Sequence, residues 1–318
     1  MSASNVISAA LRLEPQYRDY IWGGSRLRPE VVPTAEAWVV YEHNRITSGR
    51  LAGRTLSEAT EEFGPDLLGE RAYARTGKRF PLLVKLLDCA AWLSLQVHPN
   101  DEQARTMEGA DQFGKTEAWH FIEANAGAEI LCGLRPGTTT EQLSQTIREG
   151  ELLELMQRYA VQGGESIFIP AGMIHALGPG LLVYEVQQTS DLTYRVYDWG
   201  RPATPMRQLH IEKSILVADP QAFSHIIHPP SLADGTLRTL VSCPYFTLQL
   251  LAGSEKRFHL NTRGESFHAL TVISGGALVE GHGWRIDLSR FQTTLIPAAS
   301  GAYQILPEGK MQMLKSSV

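Results

Sequence analysis

The stretch GGESIFIPAGMIHALGPG, residues 163–180, is the part of the sequence that most clearly indicates the fold. A short apolar run, SIFIPA, leads into a Pro/Gly turn, and a single histidine, His175, follows inside a second apolar run. The spacing is G-x5-P-x-G-x2-H, from Gly164 to His175. Because a tight turn between two strands directs the next strand back over the first, we expect His175 to point inward.

Three further polar side chains lie in segments that are otherwise apolar. Gln96 and His98 belong to LSLQVHPND (93–101), and Glu117 belongs to GKTEAWH. The i, i+2 spacing places Gln96 and His98 on one face of a strand. Burying an amide, a carboxylate and two imidazoles without partners costs several kcal/mol, and a divalent metal satisfies all four together. The pattern therefore predicts a metal centre formed by these residues and His175.

The bulk properties indicate a soluble intracellular enzyme that is long enough for two domains. The chain has 318 residues and a net charge of -5, and it contains no basic run that would suit nucleic acid. No stretch approaches the ~18 apolar residues of a membrane span, and the N-terminus lacks a signal-peptide pattern. Cys89, Cys132 and Cys243 lack CxxC spacing and are interpreted as core residues in a reducing compartment. We therefore expect a cytoplasmic protein without nucleic-acid or membrane partners.

Short strand-like runs separated by Gly, Pro, Asn and Asp predict a mainly β fold of sandwich or barrel type. Helices are predicted over 55–64 and 101–107, and a helical insertion or helix pair over 139–159. Pro-Pro and Asp-Gly signals predict a linker around 226–238. The runs that look most like strands are 80–88, 91–99, 128–134, 166–171, 181–188, 246–253 and 268–283.

A weak internal repeat links the two halves of the chain. GESIFIPAGMIHAL (164–177) is similar to RFQTTLIPAASGAYQI (290–305), with Pro170 aligned to Pro297. In this alignment Ala302 takes the position of His175. We therefore expect the second half to repeat the strand arrangement without the metal site.

At family level, residues 164–175 resemble the second motif of the cupin superfamily, and Gln96-Val97-His98 takes the place of the usual HxH strand pair. The chain as a whole resembles the type I phosphomannose isomerases (mannose-6-phosphate isomerases), in particular the short bacterial form. This resemblance depends on the ordered combination of several segments. Besides those already quoted, they are PQYRDYIWGGSRL (15–27), AEAWVVYEHNR (35–45), FPLLVKLLD (80–88) and EVQQTSDLTYRVYDWGR (185–201).

The resemblance implies a mainly β protein of two cupin barrels, the jelly-roll or double-stranded β-helix fold, with a few helical insertions. A catalytic cupin domain would span 1–228 and carry the insertion around 139–160. A C-terminal cupin-like domain without a metal site would span 238–318. The oligomeric state stays open.

The resemblance also implies the roles of the candidate site residues. Gln96, His98, Glu117 and His175 match the zinc ligands of the family and would bind one Zn²⁺ per chain, although such a site also accepts manganese, iron or cobalt. Arg195 matches the family's catalytic arginine. Three residues would line the substrate cavity, namely Ser94 and Lys115, each two positions before a ligand, and Glu185, ten positions before Arg195.

The implied reaction interconverts mannose 6-phosphate and fructose 6-phosphate through a cis-enediol. It requires an electrophile, an anchor for the phosphate and a general base. Ser94, Lys115 and Arg195 are candidates for the phosphate contact. The base stays open, with Glu185 and Asp191 as nearby carboxylates. Two alternatives also stay open: a cupin isomerase of another, even unphosphorylated, sugar and a non-catalytic sugar-binding cupin.

Overall fold

A computed structural model describes the chain except for three short gaps, and strands predominate over short helices, which confirms the mainly β prediction. The helices are α1 (Leu56–Phe63), α2 (Pro65–Leu68), α3 (Glu70–Thr76), α4 (Asp101–Glu108), α5 (Thr140–Glu149) and α6 (Ile211–Val217). Within the described part of the chain, no helix is both long and apolar enough to cross a membrane. The described residues are 7–205, 207–229 and 231–318.

Nineteen strands are formed within the described residues. The first twelve are β1 (Leu11–Arg12), β2 (Gln16–Arg18), β3 (Glu36–Val40), β4 (Leu82–Cys89), β5 (Leu95–Val97), β6 (Glu117–Ala124), β7 (Glu129–Leu134), β8 (Met156–Ala160), β9 (Ser166–Ile169), β10 (His175–Leu177), β11 (Leu181–Gln188) and β12 (Tyr194–Tyr197). The remaining seven are β13 (Thr236–Ser242), β14 (Thr247–Gly253), β15 (Phe258–Asn261), β16 (His268–Gly281), β17 (Trp284–Ser289), β18 (Thr293–Ile296) and β19 (Ala302–Ser317).

The chain forms two compact units, each assembled from separate segments. Unit 1 comprises Pro229–Val318, Trp38–Lys85 and the described part of Met1–Gln16. Unit 2 comprises Tyr17–Ala37 and Leu86–His228. The predicted boundary at residue 228 falls between the two units, but Trp38–Lys85 groups with the C-terminal strands. A catalytic domain over 1–228 stays a prediction.

Unit 2 carries a five-stranded sheet in the order β12-β5-β10-β7-β8 and, beside it, antiparallel strands in the order β11-β6-β9. Apolar side chains such as Trp119, Phe121 and Ile167 form its buried core. The register places His175 and Arg195 opposite the same residue, Gln96, on the two sides of β5. This register determines which side chains meet at the candidate site.

The helix predicted over 139–159 forms only in its first half. Helix α5 begins after Thr139, whose side chain caps it, and ends at Gly150, which adopts a left-handed conformation (φ 76°). The prediction is wrong for Met156–Ala160, which is strand β8 paired with β7. The left-handed glycine ends the helical hydrogen bonding, so the apolar residues beyond it follow a new path.

Unit 1 is built on an eight-stranded sheet in which β1, β18, β16, β19, β14 and β13 are neighbours in that order, while β15 pairs with β19 and β17 with β16. Helix α2 approaches this sheet so closely that a side chain at Gly69 would overlap the carbonyl oxygen of Glu265. The rings of Phe80 and Phe267 pack with their centroids 4.7 Å apart. These contacts explain why Trp38–Lys85 belongs to unit 1.

The weak repeat corresponds to two similar strand-turn-strand elements. Strand β9 ends immediately before Pro170 and β10 begins at His175, while β18 ends immediately before Pro297 and β19 begins at Ala302. His175 is buried, whereas Ala302 is exposed and the next residue, Tyr303, points inward. The second element therefore repeats the backbone path but places a phenol, not an imidazole, at its inner position.

Candidate metal centre

Three of the predicted ligands come together at strand ends in unit 2. His98 directly follows β5, Glu117 begins β6 and His175 begins β10. Their potential ligand atoms all lie within 4.8 Å of one another, and all three side chains are buried. Two imidazoles and one carboxylate form a donor set that suits a divalent transition metal.

Backbone carbonyls orient both imidazoles. His98 Nδ1 lies 2.8 Å from the carbonyl oxygen of Leu192, and His175 Nδ1 lies 2.9 Å from that of Met173. Because a carbonyl oxygen only accepts hydrogen bonds, each Nδ1 carries the proton, and each Nε2 presents its lone pair. The Nε2 atoms lie 3.6 Å and 3.4 Å from the oxygens of Glu117. The two rings thus present nitrogen acceptors toward one carboxylate.

Burial keeps His175 neutral. It lowers the pKa of this imidazole to about 4, and the nearby ammonium of Lys115 acts in the same direction. A neutral imidazole is the form that binds a metal ion. At neutral pH, therefore, no proton on Nε2 competes with a metal for this nitrogen.

The fourth predicted ligand, Gln96, lies at the edge of the cluster. Its Nε2 is 3.3 Å from His175 Nε2, and the hydroxyl of Ser94 donates to its Oε1 over 3.4 Å. It is half-buried, unlike the other three ligands. An amide placed here can turn its oxygen or its nitrogen toward the cluster, so the site can accept Gln96 as an oxygen ligand.

Lys115 is buried within the cluster. Its ammonium forms an ion pair with Glu117 and lies 3.0 Å from His98 Nε2. Lys115 therefore contacts two of the predicted metal ligands directly. This position places its charge at the cluster itself.

Arg195 and Glu185 approach the cluster from different strands. Arg195 lies opposite Gln96 in the pairing of β12 with β5, and it donates from Nη1 to the carbonyl of Gln208 over 3.1 Å. Burial, then the neighbouring Arg207, lowers the pKa of Arg195. Its buried Nε has no hydrogen-bond partner among the described residues. The guanidinium thus keeps donor capacity for a further ligand.

Glu185 is hydrogen-bonded to Trp119, whose ring also contacts the cluster. Its carboxylate accepts a hydrogen bond of 2.9 Å from Trp119 Nε1, and the Trp119 ring meets the His175 ring edge-on with centroids 5.3 Å apart. Glu185 is buried, whereas Asp191, the other carboxylate considered as a base, is exposed. The two carboxylates considered as the general base therefore differ in burial.

Sequence reasoning missed several partners of these residues. Leu192 and Met173 act through backbone oxygens, which side-chain patterns do not reveal. Trp119 lies two residues after Glu117 on β6, so it shares a face with that predicted ligand. The same two-residue spacing that places Lys115 beside Glu117 would also have indicated Trp119.

The mainly β fold and the buried cluster define a cupin-fold protein with a candidate metal centre. The sequence-family model described as the type I phosphomannose isomerase catalytic domain matches residues 10–136. A mannose-6-phosphate isomerase of Bacillus subtilis is 35% identical over 315 residues, covering 94% of this chain and 93% of the relative. The chain belongs to the type I phosphomannose isomerase family, whose members are aldose–ketose isomerases.

Solved structures agree with this assignment. The crystal structure of a mannose 6-phosphate isomerase from Bacillus subtilis superposes with a TM-score of 0.83 at 28% identity, covering 98% of this chain and 100% of that one. A zinc-bound mannose 6-phosphate isomerase shares the fold with a TM-score of 0.74 at 18% identity, covering 96% and 99%. The predicted cupin fold and the family membership are confirmed.

Proposed function

We propose that this chain is a zinc-dependent mannose-6-phosphate isomerase that interconverts mannose 6-phosphate and fructose 6-phosphate through a cis-enediol. The observation that carries the proposal is the buried cluster of His98, Glu117 and His175 in a chain of this family. The proposed substrate is that of the relatives named as mannose-6-phosphate isomerases. The proposed metal is the one bound in the zinc-containing structure that shares the fold.

The donor set fits one Zn²⁺ per chain. Gln96, His98, Glu117 and His175 would hold it with two neutral imidazoles, one carboxylate and one amide oxygen. Such a site would keep a net positive charge, since only Glu117 contributes a negative one. The chemistry supplied by a bound zinc is Lewis-acid polarisation of a substrate oxygen.

The residues around the cluster would position the sugar and stabilise charge. We assign Lys115 to the oxygens on the reacting carbons because its ammonium contacts two ligands. We assign Arg195 to the negative charge that develops on the enediolate, since its Nε is available as a donor. Ser94 would contact the substrate beside Gln96.

The isomerisation also requires a base that moves a proton between C1 and C2. Burial beside the His175 and Trp119 rings favours Glu185 over the exposed Asp191. In this scheme the Trp119 hydrogen bond would orient the Glu185 carboxylate toward the reacting carbons.

The proposal is tested by the conversion of mannose 6-phosphate to fructose 6-phosphate before chelation, after chelation and after readdition of zinc. We expect His175→Gln to lose both metal and turnover. The matched control is His120→Gln, which alters a buried histidine of β6 outside the cluster and should retain both. A folded, zinc-loaded protein that converts free mannose as readily as mannose 6-phosphate, or converts neither, would contradict the proposal.

A further inference from the structure

The eight-stranded sheet of unit 1 carries a second group of buried polar side chains, which the proposed function does not use. They are His268, Tyr303 and Lys315, exposed by 7%, 4% and 7%. Their surroundings are apolar, because Leu270 and Met313 on the same strands belong to the buried core. Polar groups in such surroundings require partners.

The strand register places His268 and Lys315 on the core face of this sheet. Lys315 lies opposite Leu270 in the pairing of β16 with β19, and opposed residues of antiparallel strands share a face. His268 lies two residues before Leu270, so it shares that face as a diagonal neighbour of Lys315. Tyr303 reaches the group through a hydrogen bond of 2.6 Å between its hydroxyl and His268 Nδ1.

The hydrogen bond between Tyr303 and His268 allows a tautomer with a free donor on the imidazole. Burial raises the pKa of Tyr303 well above its ordinary range, so the phenol keeps its proton and can donate it to His268 Nδ1. Burial, followed by the positive charge of Lys315, lowers the pKa of His268 to about 3, so the ring is neutral. When the phenol donates to Nδ1, the imidazole proton lies on Nε2 as a donor.

Lys315 adds a second donor with a positive charge. No ion pair or hydrogen bond to its ammonium is found among the described residues, and burial lowers its pKa to about 8. Lys315 Nζ is not one of the fully buried polar atoms without a partner, so it keeps some contact with solvent. It is still mostly charged at neutral pH, and a largely buried charge without a protein partner is costly. A ligand that brings a negative oxygen would remove this cost.

We propose that His268, Tyr303 and Lys315 form a second ligand site, distinct from the metal cluster, that binds a small oxyanion. The oxyanion accepts hydrogen bonds from Lys315 Nζ and His268 Nε2, while Tyr303 fixes the imidazole. A surface groove of about 660 Å³ has Tyr303 in its lining, together with Arg285 and Glu280, so one member of the group borders solvent. Carboxylates and phosphates share the required chemistry.

The test measures the acetylation rate of Lys315 by peptide mass spectrometry on the full zinc-loaded chain. Lys310, an exposed lysine of the same strand, is the internal control. We expect acetate or inorganic phosphate, but not chloride at equal ionic strength, to slow acetylation of Lys315 about tenfold relative to Lys310, equivalent to a rise of about one unit in its pKa. Equal rates with and without these oxyanions would overturn the proposal.

Two further measurements test which oxyanion binds and whether His268 contributes to its binding. Comparison of acetate, inorganic phosphate and mannose 6-phosphate shows whether a carboxylate, a free phosphate or a sugar phosphate is the preferred source of the oxyanion. In His268→Gln, which retains Lys315, protection should weaken several-fold while the circular dichroism spectrum stays unchanged. Protection that is unaltered in this variant, or that affects Lys310 equally, would contradict a site built from these donors.

Discussion

Arg195 lies directly opposite Gln96 across the paired strands β12 and β5. On the other side of β5, His175 faces the same glutamine from β10. Opposed residues of antiparallel strands share one face of a sheet, so the three side chains form a row. The register of three short strands thus holds a guanidinium next to two predicted metal ligands, without depending on a loop.

This row leads to a prediction for Arg195. Arg195→Ala should lower kcat by about 10²–10³, a loss typical of removing one donor to a developing oxyanion, while zinc content is unchanged. Steady-state kinetics with metal analysis of the same samples measures both quantities. Arg238→Ala removes an exposed arginine of β13 and serves as the control. If kcat falls only in proportion to lost zinc, Arg195 positions a ligand and does not act on the substrate.

The buried ion pair between Lys115 and Glu117 predicts a stability effect that is separate from activity. In metal-free protein, Glu117→Gln should lower the free energy of unfolding by about 3–5 kcal/mol, because it leaves a buried ammonium without its carboxylate. The double variant Lys115→Met, Glu117→Gln should regain most of that loss yet bind no zinc. Chemical denaturation of the two variants tests this, and equal destabilisation in both would show that the pair is not the cause.

The hydrogen bond from Trp119 to Glu185 can be removed with a smaller aromatic side chain. Trp119→Phe should cost about 1–3 kcal/mol in the free energy of unfolding because the buried carboxylate loses a donor, and the space left by the missing ring atoms adds to this loss. It should also lower kcat, because the Glu185 carboxylate loses the hydrogen bond that would orient it. Trp22→Phe alters a buried tryptophan of the same apolar cluster and should leave kcat unchanged. An equal loss of kcat in both variants would indicate a packing effect.

Buried histidines make stability depend on pH. Burial lowers the pKa of His120 from 6.5 to about 4, so between these values the unfolded state binds a proton that the folded state does not. The free energy of unfolding should therefore fall as the pH decreases from about 6.5, by up to about 1.4 kcal/mol per unit for this residue. His175 and His268 act in the same direction. Denaturation of metal-free His120→Gln at several pH values should give a shallower slope, and an unchanged slope would refute the assignment.

The elements that the sequence predicts correctly are those whose local pattern of apolar and polar residues agrees with their burial in the structure. The apolar run 181–188 is strand β11 from its first to its last residue, and Gln96 and His98, two residues apart, both lie near His175. The strand-turn-strand element that ends at His175 lies in the structure where its Pro/Gly turn predicts. Local patterns of this kind depend on residues close together in the chain.

Other features depend on contacts between residues that are far apart in the chain. Local sequence patterns do not predict these contacts. The apolar spacing of 152–156 suggests a helix, but pairing with β7 makes Met156 the start of a strand. Lys115 was considered for the phosphate contact, and only the structure shows its ammonium against two ligands. The carbonyls that orient His98 and His175 come from turns whose path depends on tertiary packing.

The grouping of Trp38–Lys85 with Pro229–Val318 has a practical consequence for truncation. A fragment ending at residue 228 would separate the first segment from the strands that it packs against and expose faces such as that of Phe80. Conversely, a fragment beginning at residue 229 would lack the helices that pack on its sheet. Separation of this enzyme into its two units therefore requires four cuts in place of one, because the unit boundaries fall after residues 16, 37, 85 and 228.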